Sequence, residues 1–131
     1  MRTGDRIFRL SDRAGILLSV AVLHALAIFS QAALAGEFLS GMEGPVRLHE
    51  VGGWVVVGFG ALQLALSVWW TQIEGPLWIP LSSAAILLGE LLQIGTGYGR
   101  FPAVHVPLGV LLFGGVVCQA VWLSRVKGKL A

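Results

Sequence analysis

Between Arg13 and Arg125 the only charged residues are Glu37, Glu43, Arg47, Glu50, Glu74, Glu90 and Arg100. They leave four apolar runs, residues 14–35, 48–70, 78–97 and 103–124, and only Glu90 falls deep inside one. About 20 apolar residues are what an α-helix needs to cross a bilayer. Only helices or closed barrels satisfy their own backbone N–H and C=O groups in lipid. Charged residues make up 12% of the chain and apolar ones 56%, against about 25% charge in a soluble domain. The pattern therefore predicts an all-α integral-membrane protein. Its four transmembrane helices should form an up-down-up-down bundle, since short connections make consecutive helices antiparallel. Lipid is the first partner implied. Nucleic acid is not, because the basic residues gather at the chain ends without interleaved aromatics.

The ends set the expected orientation. Residues 1–13 form a basic segment with Arg2, Arg6, Arg9 and Arg13, and residues 125–131 form a basic tail with Arg125, Lys127 and Lys129. With Asp5, Asp12 and Glu74 added, that side stays net positive. The other side, with Arg47 and Arg100 against Glu37, Glu43 and Glu50, is net negative. The positive-inside rule then predicts both termini on the cytoplasmic face of a bacterial-type inner membrane. Trp69, Trp70, Trp78 and Trp122 would lie in the inner aromatic belt, with Trp54 near the outer one. Ala33-Leu34-Ala35 before Gly36 resembles a signal-peptidase site. The preceding apolar run is long for a signal peptide, so a retained helix is expected. Cys118, alone in an apolar helix, is expected to be a small packing residue.

Within this frame the chain repeats itself. LHEVGGWVVVGFGALQ, Leu48 to Gln63, returns without a gap as VHVPLGVLLFGGVVCQ, Val104 to Gln119. His49 falls on His105, Gly53 on Gly109, Gly58 on Gly114 and Gln63 on Gln119. The His-to-Gly and His-to-Gln offsets stay near one helical face at 3.6 residues per turn. Gln31 and Gln93, in the outer halves of the first and third helices, extend the repeat more weakly. Two parallel helical hairpins related by an axis along the membrane normal are therefore expected. The second and fourth helices would stand diagonally across the core, with His49 facing His105 near the outer surface.

Two facing imidazoles suit the axial positions of a haem iron. Gly53 and Gly109, one turn on, would leave room for the porphyrin. Arg47 and Arg100 would pair with the propionates. The same residues have a structural reading, in which the histidines sit at headgroup level and the glycines allow close helix packing. A zinc site would have only two histidines, with Glu50 as a third candidate. A four-helix unit with histidines at the outer start of its second and fourth helices resembles one half of a haem A synthase. It is also similar to small b-type membrane cytochromes. The run QAALAG, LHEVGG, LLQIGTG and HVPLGV resembles a family of small bacterial four-helix membrane proteins. The resemblance implies haem b held by His49 and His105, and Glu43 loosely matches an outer-loop Glu of haem A synthases. Those enzymes have two four-helix halves, and this chain has one.

A second polar pair is expected deeper. His24 and Glu90 both fall about 15–18 Å into their helices at 1.5 Å per residue, where an unpaired ionised carboxylate is costly. They would form a hydrogen-bonded pair that fixes packing, a proton relay or a quinone contact. Gln31, Gln63, Gln93 and Gln119 would add interhelical hydrogen bonds of about 0.6 kcal/mol each. The function expected from these residues is electron transfer through one bis-histidine haem, with a membrane redox partner or a second copy of the chain. One alternative is a haem-free accessory subunit of a larger respiratory-type complex, and another is a small transporter. No nucleophile, phosphate loop or paired catalytic carboxylates point to a stand-alone enzyme.

Overall fold

The computed structural model describes residues 3–42, 44–72 and 75–130, with side chains described from residue 10 to residue 129 of these. Arg2, Glu43 and Glu74 lie outside the described residues, as do the side chains of Asp5, Arg6 and Arg9. The chain forms four helices, α1 (Thr3–Leu39), α2 (Pro45–Thr71), α3 (Trp78–Tyr98) and α4 (Pro102–Leu130). Each contains a stretch long and apolar enough to cross a membrane: Leu10–Leu39, Pro45–Thr71, Trp78–Tyr98 and Pro102–Lys129. They pack as an up-down bundle in the ring α1–α2–α3–α4 and back to α1. By the length and composition of its helices this is a multi-pass membrane protein.

The helices outrun the apolar runs at both chain ends. α1 begins within the basic segment and α4 continues through the basic tail. Arg, Lys and Leu are good helix formers, and proline is absent from both stretches. At the opposite end the helices stop by design of the backbone. The amide of Gly41 bonds the carbonyl of Phe38, and that of Met42 bonds Glu37. The amides of Arg100 and Phe101 do the same to Gly97 and Thr96. Both are Schellman caps, which need a left-handed residue after the helix. Gly41 (φ 93°) and Arg100 (φ 56°) supply it. Pro45 and Pro102 then open α2 and α4, where a missing N–H costs least.

The interior combines two apolar clusters with small and polar residues. Ala14, Leu17, Ala21, Trp70, Ile79 and Leu123 form a cluster near the termini, and Ala25, Ile86, Leu112 and Val116 form another at mid-height. Phe29, Leu81, Leu88, Val110 and Leu111 face outward. In water so large an apolar surface would aggregate. In lipid it is the expected exterior, because tails are as apolar as leucine and small residues let helices approach. Cys118 also faces outward rather than packing inside. Around the terminal end Trp70 and Trp78 meet Trp122 edge-on at 6.0 and 4.8 Å. The Arg13 guanidinium lies 4.0 Å from the Trp69 ring and donates to the Trp69 carbonyl at 2.7 Å.

Candidate functional site

His49 and His105 each stand about one turn inside the helix that a proline opens. Their rings come together across the bundle, with centroids 6.1 Å apart and planes inclined by 59°. Each ring is held the same way from the preceding helix. His49 Nδ1 lies 3.1 Å from the backbone carbonyl of Gln31, and His105 Nδ1 lies 3.0 Å from that of Gln93. A carbonyl can only accept, so both Nδ1 atoms donate. A backbone carbonyl on the ring N–H is also how proteins orient a metal-ligating imidazole. Thr96 Oγ1, which bonds the Gln93 carbonyl at 3.0 Å, also approaches His105 Nδ1 at 3.3 Å. Gln93 Nε2 returns a bond to the His105 carbonyl at 2.8 Å.

The glycines around this pair are contact points between helices. A Cβ on Gly97 would lie 3.1 Å from His105 Cε1, so this glycine lets the ring rest on α3. Gly52 leaves room for the Gln31 side chain. Beside Gly53 lies the end of Ile94, and beside Gly109 the Nε2 of Gln93, each 3.0 Å from a would-be Cβ. Arg47 and Arg100 are both exposed at this end of the bundle. So is Glu50, whose Oε1 accepts a hydrogen bond from Tyr98 at 2.7 Å and ties α2 to the end of α3.

His49 and His105 would be the residues to hold a haem iron. Among the described residues no group of three or more His, Cys, Asp or Glu gathers as a metal site. Two protein ligands suit a macrocycle that brings the other four. The gaps beside Gly53 and Gly109 are filled by the ends of Ile94 and Gln93. Both are side-chain ends, and Gln93 Nε2 is also bonded to the His105 carbonyl.

A second assembly lies deeper and draws on all four helices. His24 Nδ1 is 2.9 Å from Gln63 Oε1, Gln63 Nε2 donates to Gln119 Oε1, and Gln119 Nε2 donates to Ser82 Oγ. Ser83 Oγ adds a bond to Gln119 Oε1 at 3.4 Å. On its other side His24 Nε2 lies 2.7 Å from Glu90 Oε1, but neither atom, nor Glu90 Oε2, has a hydrogen-bond partner. The Phe59 ring stacks on His24 at 6.2 Å and 18°. Buried polar groups need such partners, and His24, Gln63, Glu90 and Gln119 are all at most 2% exposed. Gly60 is what admits the carboxylate, since a Cβ there would overlap Glu90 Oε2.

The repeated positions thus meet in pairs, His49 with His105 and Gln63 with Gln119, while His24 and Glu90 pair across the other diagonal. Gln31 contributes chiefly its backbone carbonyl, and its buried Oε1 accepts no hydrogen bond. Sequence reading misses Thr96, Ser82, Ser83, Phe59, Gly52 and Gly60. Only Gly60 carried a signal, because a buried carboxylate on one helix needs a gap on its neighbour.

No protein-family model matches this chain, and no curated protein or solved structure does either. Fold and site together define a class: a four-helix protein of membrane-length apolar helices, with a histidine pair near one end and a polar network at its centre.

Proposed function

We propose that this chain is a b-type membrane cytochrome that binds one haem b between His49 and His105. The observation that carries this reading is the matched pair of imidazoles, 6.1 Å apart, each with Nδ1 committed to a glutamine carbonyl. Bound there, haem supplies a one-electron iron couple. The chain's own residues do the rest. Gln31 and Gln93 orient the rings, Gly97 sets the depth of His105, and Arg47 and Arg100 offer charge to the propionates. The bundle interior excludes water. In this reading both termini are cytoplasmic and the histidine end faces outward, so electrons pass between a quinol or membrane enzyme and an outer-side partner.

The filled space beside Gly53 and Gly109 favours a second reading, a haem-free accessory subunit whose histidines only stitch helices together. A visible spectrum separates the two. Protein purified from haem-replete cells and reduced with dithionite is expected to show the sharp α-band of a low-spin bis-histidine centre. A colourless preparation supports the accessory reading instead.

A further inference from the structure

Two clefts open on the same side of the bundle, between α1 and α4. The first, of about 380 Å³, lies near the chain ends and is lined by Ser11, Asp12, Gly15, Ile16 and Ser19 of α1 and Lys127 of α4. The second, of about 400 Å³, is apolar and lies between Val22, Leu26 and Phe29 of α1 and Phe113, Val117 and Val121 of α4. Both follow one pair of helix stripes. Gly15, Ser19, Val22, Leu26 and Phe29 recur at intervals of four and three residues, the spacing that keeps side chains on one helix face. Phe113, Val117, Ala120, Ser124 and Lys127 do the same on α4. The two clefts are therefore consecutive lengths of one groove, polar toward the termini and apolar beyond. Ala25 and Ala120 keep it open by their small size. The Phe29 and Phe113 rings, 6.1 Å apart, close its inner end.

Among the described residues, the polar end carries one charge of each sign. The Lys127 side chain lies across the groove onto α1, with Nζ, Cε and Cδ 3.4, 3.5 and 3.8 Å from where a Cβ on Gly15 would stand. Arg13 is turned the other way, toward α2, and donates to the Trp69 carbonyl at 2.7 Å. Basic pockets between transmembrane helices are where lipid headgroups bind. Asp12 lies three residues, about 4.5 Å of helix, nearer the chain end than Gly15. A cation with an anion one step further out complements a phosphate followed by an ammonium on a two-carbon link. The length fits as well. Gly15 to Phe29 spans about 21 Å of helix, and one leaflet with its headgroups is half of about 40–45 Å.

The internal repeat supplies a comparison. In the counterpart groove between α2 and α3, Thr71 stands where α4 has Lys127, and Leu77, Trp78 and Leu81 stand where α1 has Gly15, Ile16 and Ser19. Helix packing at this level is thus met by apolar residues on one side of the molecule, and the polar end belongs to the other side alone.

We propose that the α1–α4 groove binds one phosphatidylethanolamine molecule from the leaflet on the side of the termini. Lys127 holds its phosphate, with the Ser11 hydroxyl beside it, and Asp12 takes its ammonium. One acyl chain runs inward between Val22 and Val121 to the Phe29 and Phe113 rings. The site rests on the membrane-spanning reading of the four helices and needs no haem.

The test is native mass spectrometry of the full chain in a non-ionic detergent. Phosphatidylethanolamine, phosphatidylglycerol and phosphatidylcholine with identical chains are added in equal amounts. One phosphatidylethanolamine per chain is expected to persist, at about three- to fivefold over either competitor, the scale of one exposed ion pair. Lys127→Ala should lower retention of all three lipids by a similar factor, and Asp12→Asn should erase the preference over phosphatidylglycerol. Val22→Trp, which fills the apolar length, should release the lipid. Leu111→Trp, on an outward face of α4, should not. Glycerophosphoethanolamine, the headgroup without chains, should not be retained. Equal retention of the three lipids, or a preference for another headgroup, overturns the proposal. So does retention unchanged in Lys127→Ala or in Val22→Trp. Binding of the chain-free headgroup as firmly as the lipid overturns it too, by marking a phosphate site only. Should Val22→Trp not fold, the Lys127 and Asp12 variants decide alone.

Discussion

His49 and His105 are each held in one orientation by the helix that precedes them. Each imidazole spends its N–H on a backbone carbonyl, and a ring fixed in tautomer and direction loses little freedom on binding a metal. Replacing either by Ala should remove the low-spin spectrum, whereas His24→Ala should leave the α-band in place. Gly60 gives a test of packing alone. Gly60→Ala drives a methyl into Glu90, and overpacking of this kind costs about 1–3 kcal/mol. Gly58→Ala on the same helix meets nothing within 4 Å and should be neutral or stabilising, since Gly weakens a helix interior by about 0.5–1 kcal/mol relative to Ala. Unfolding in detergent micelles checks the contrast. An equal loss in both variants would mean that Glu90 does not rest on Gly60. At this scale much of the site was legible: the repeat singled out both histidines, and the cost of a buried charge joined Glu90 to His24. The carbonyls of Gln31 and Gln93 were not, because every residue has one and only the fold selects which it uses.

The caps at the histidine end decide where the ring-bearing helices begin. Arg100 sits in the left-handed region at φ 56°, a conformation that costs an ordinary residue about 1–2 kcal/mol. Arg100→Gly should therefore stabilise the α3–α4 turn by roughly 1 kcal/mol, read as a higher unfolding midpoint, while Arg100→Ala should not. If the arginine serves a propionate, both variants should shift the haem midpoint potential alike. Strain retained at an exposed arginine is in keeping with such a role. Helix boundaries were less legible than helix existence. The apolar runs located all four elements, but hydropathy cannot see that α1 and α4 continue through their charged ends, where helix propensity and not burial governs.

At the scale of the whole molecule, one ring of antiparallel neighbours carries two diagonals. One joins the repeated histidines and glutamines of α2 and α4, and the other joins His24 of α1 to Glu90 of α3. The up-down order was readable from the short connections, and the α2–α4 diagonal from the repeat. The density of the space between them was not, since Ile94 and Gln93 fill gaps that the glycines alone would have left open. The proposed orientation predicts that cysteines placed at Ser11 and Lys129 label from the cytoplasmic side and one at Ser40 from the opposite side. Labelling of Ser11 and Lys129 from different sides would contradict the up-down order. The central claim is that these two histidines hold one haem, and haem content per chain tests it most directly. One haem per wild-type chain and none in the His49→Ala/His105→Ala double variant is the expected result. Haem-free wild-type protein from haem-replete cells, or a full complement of haem retained by the double variant, would contradict it.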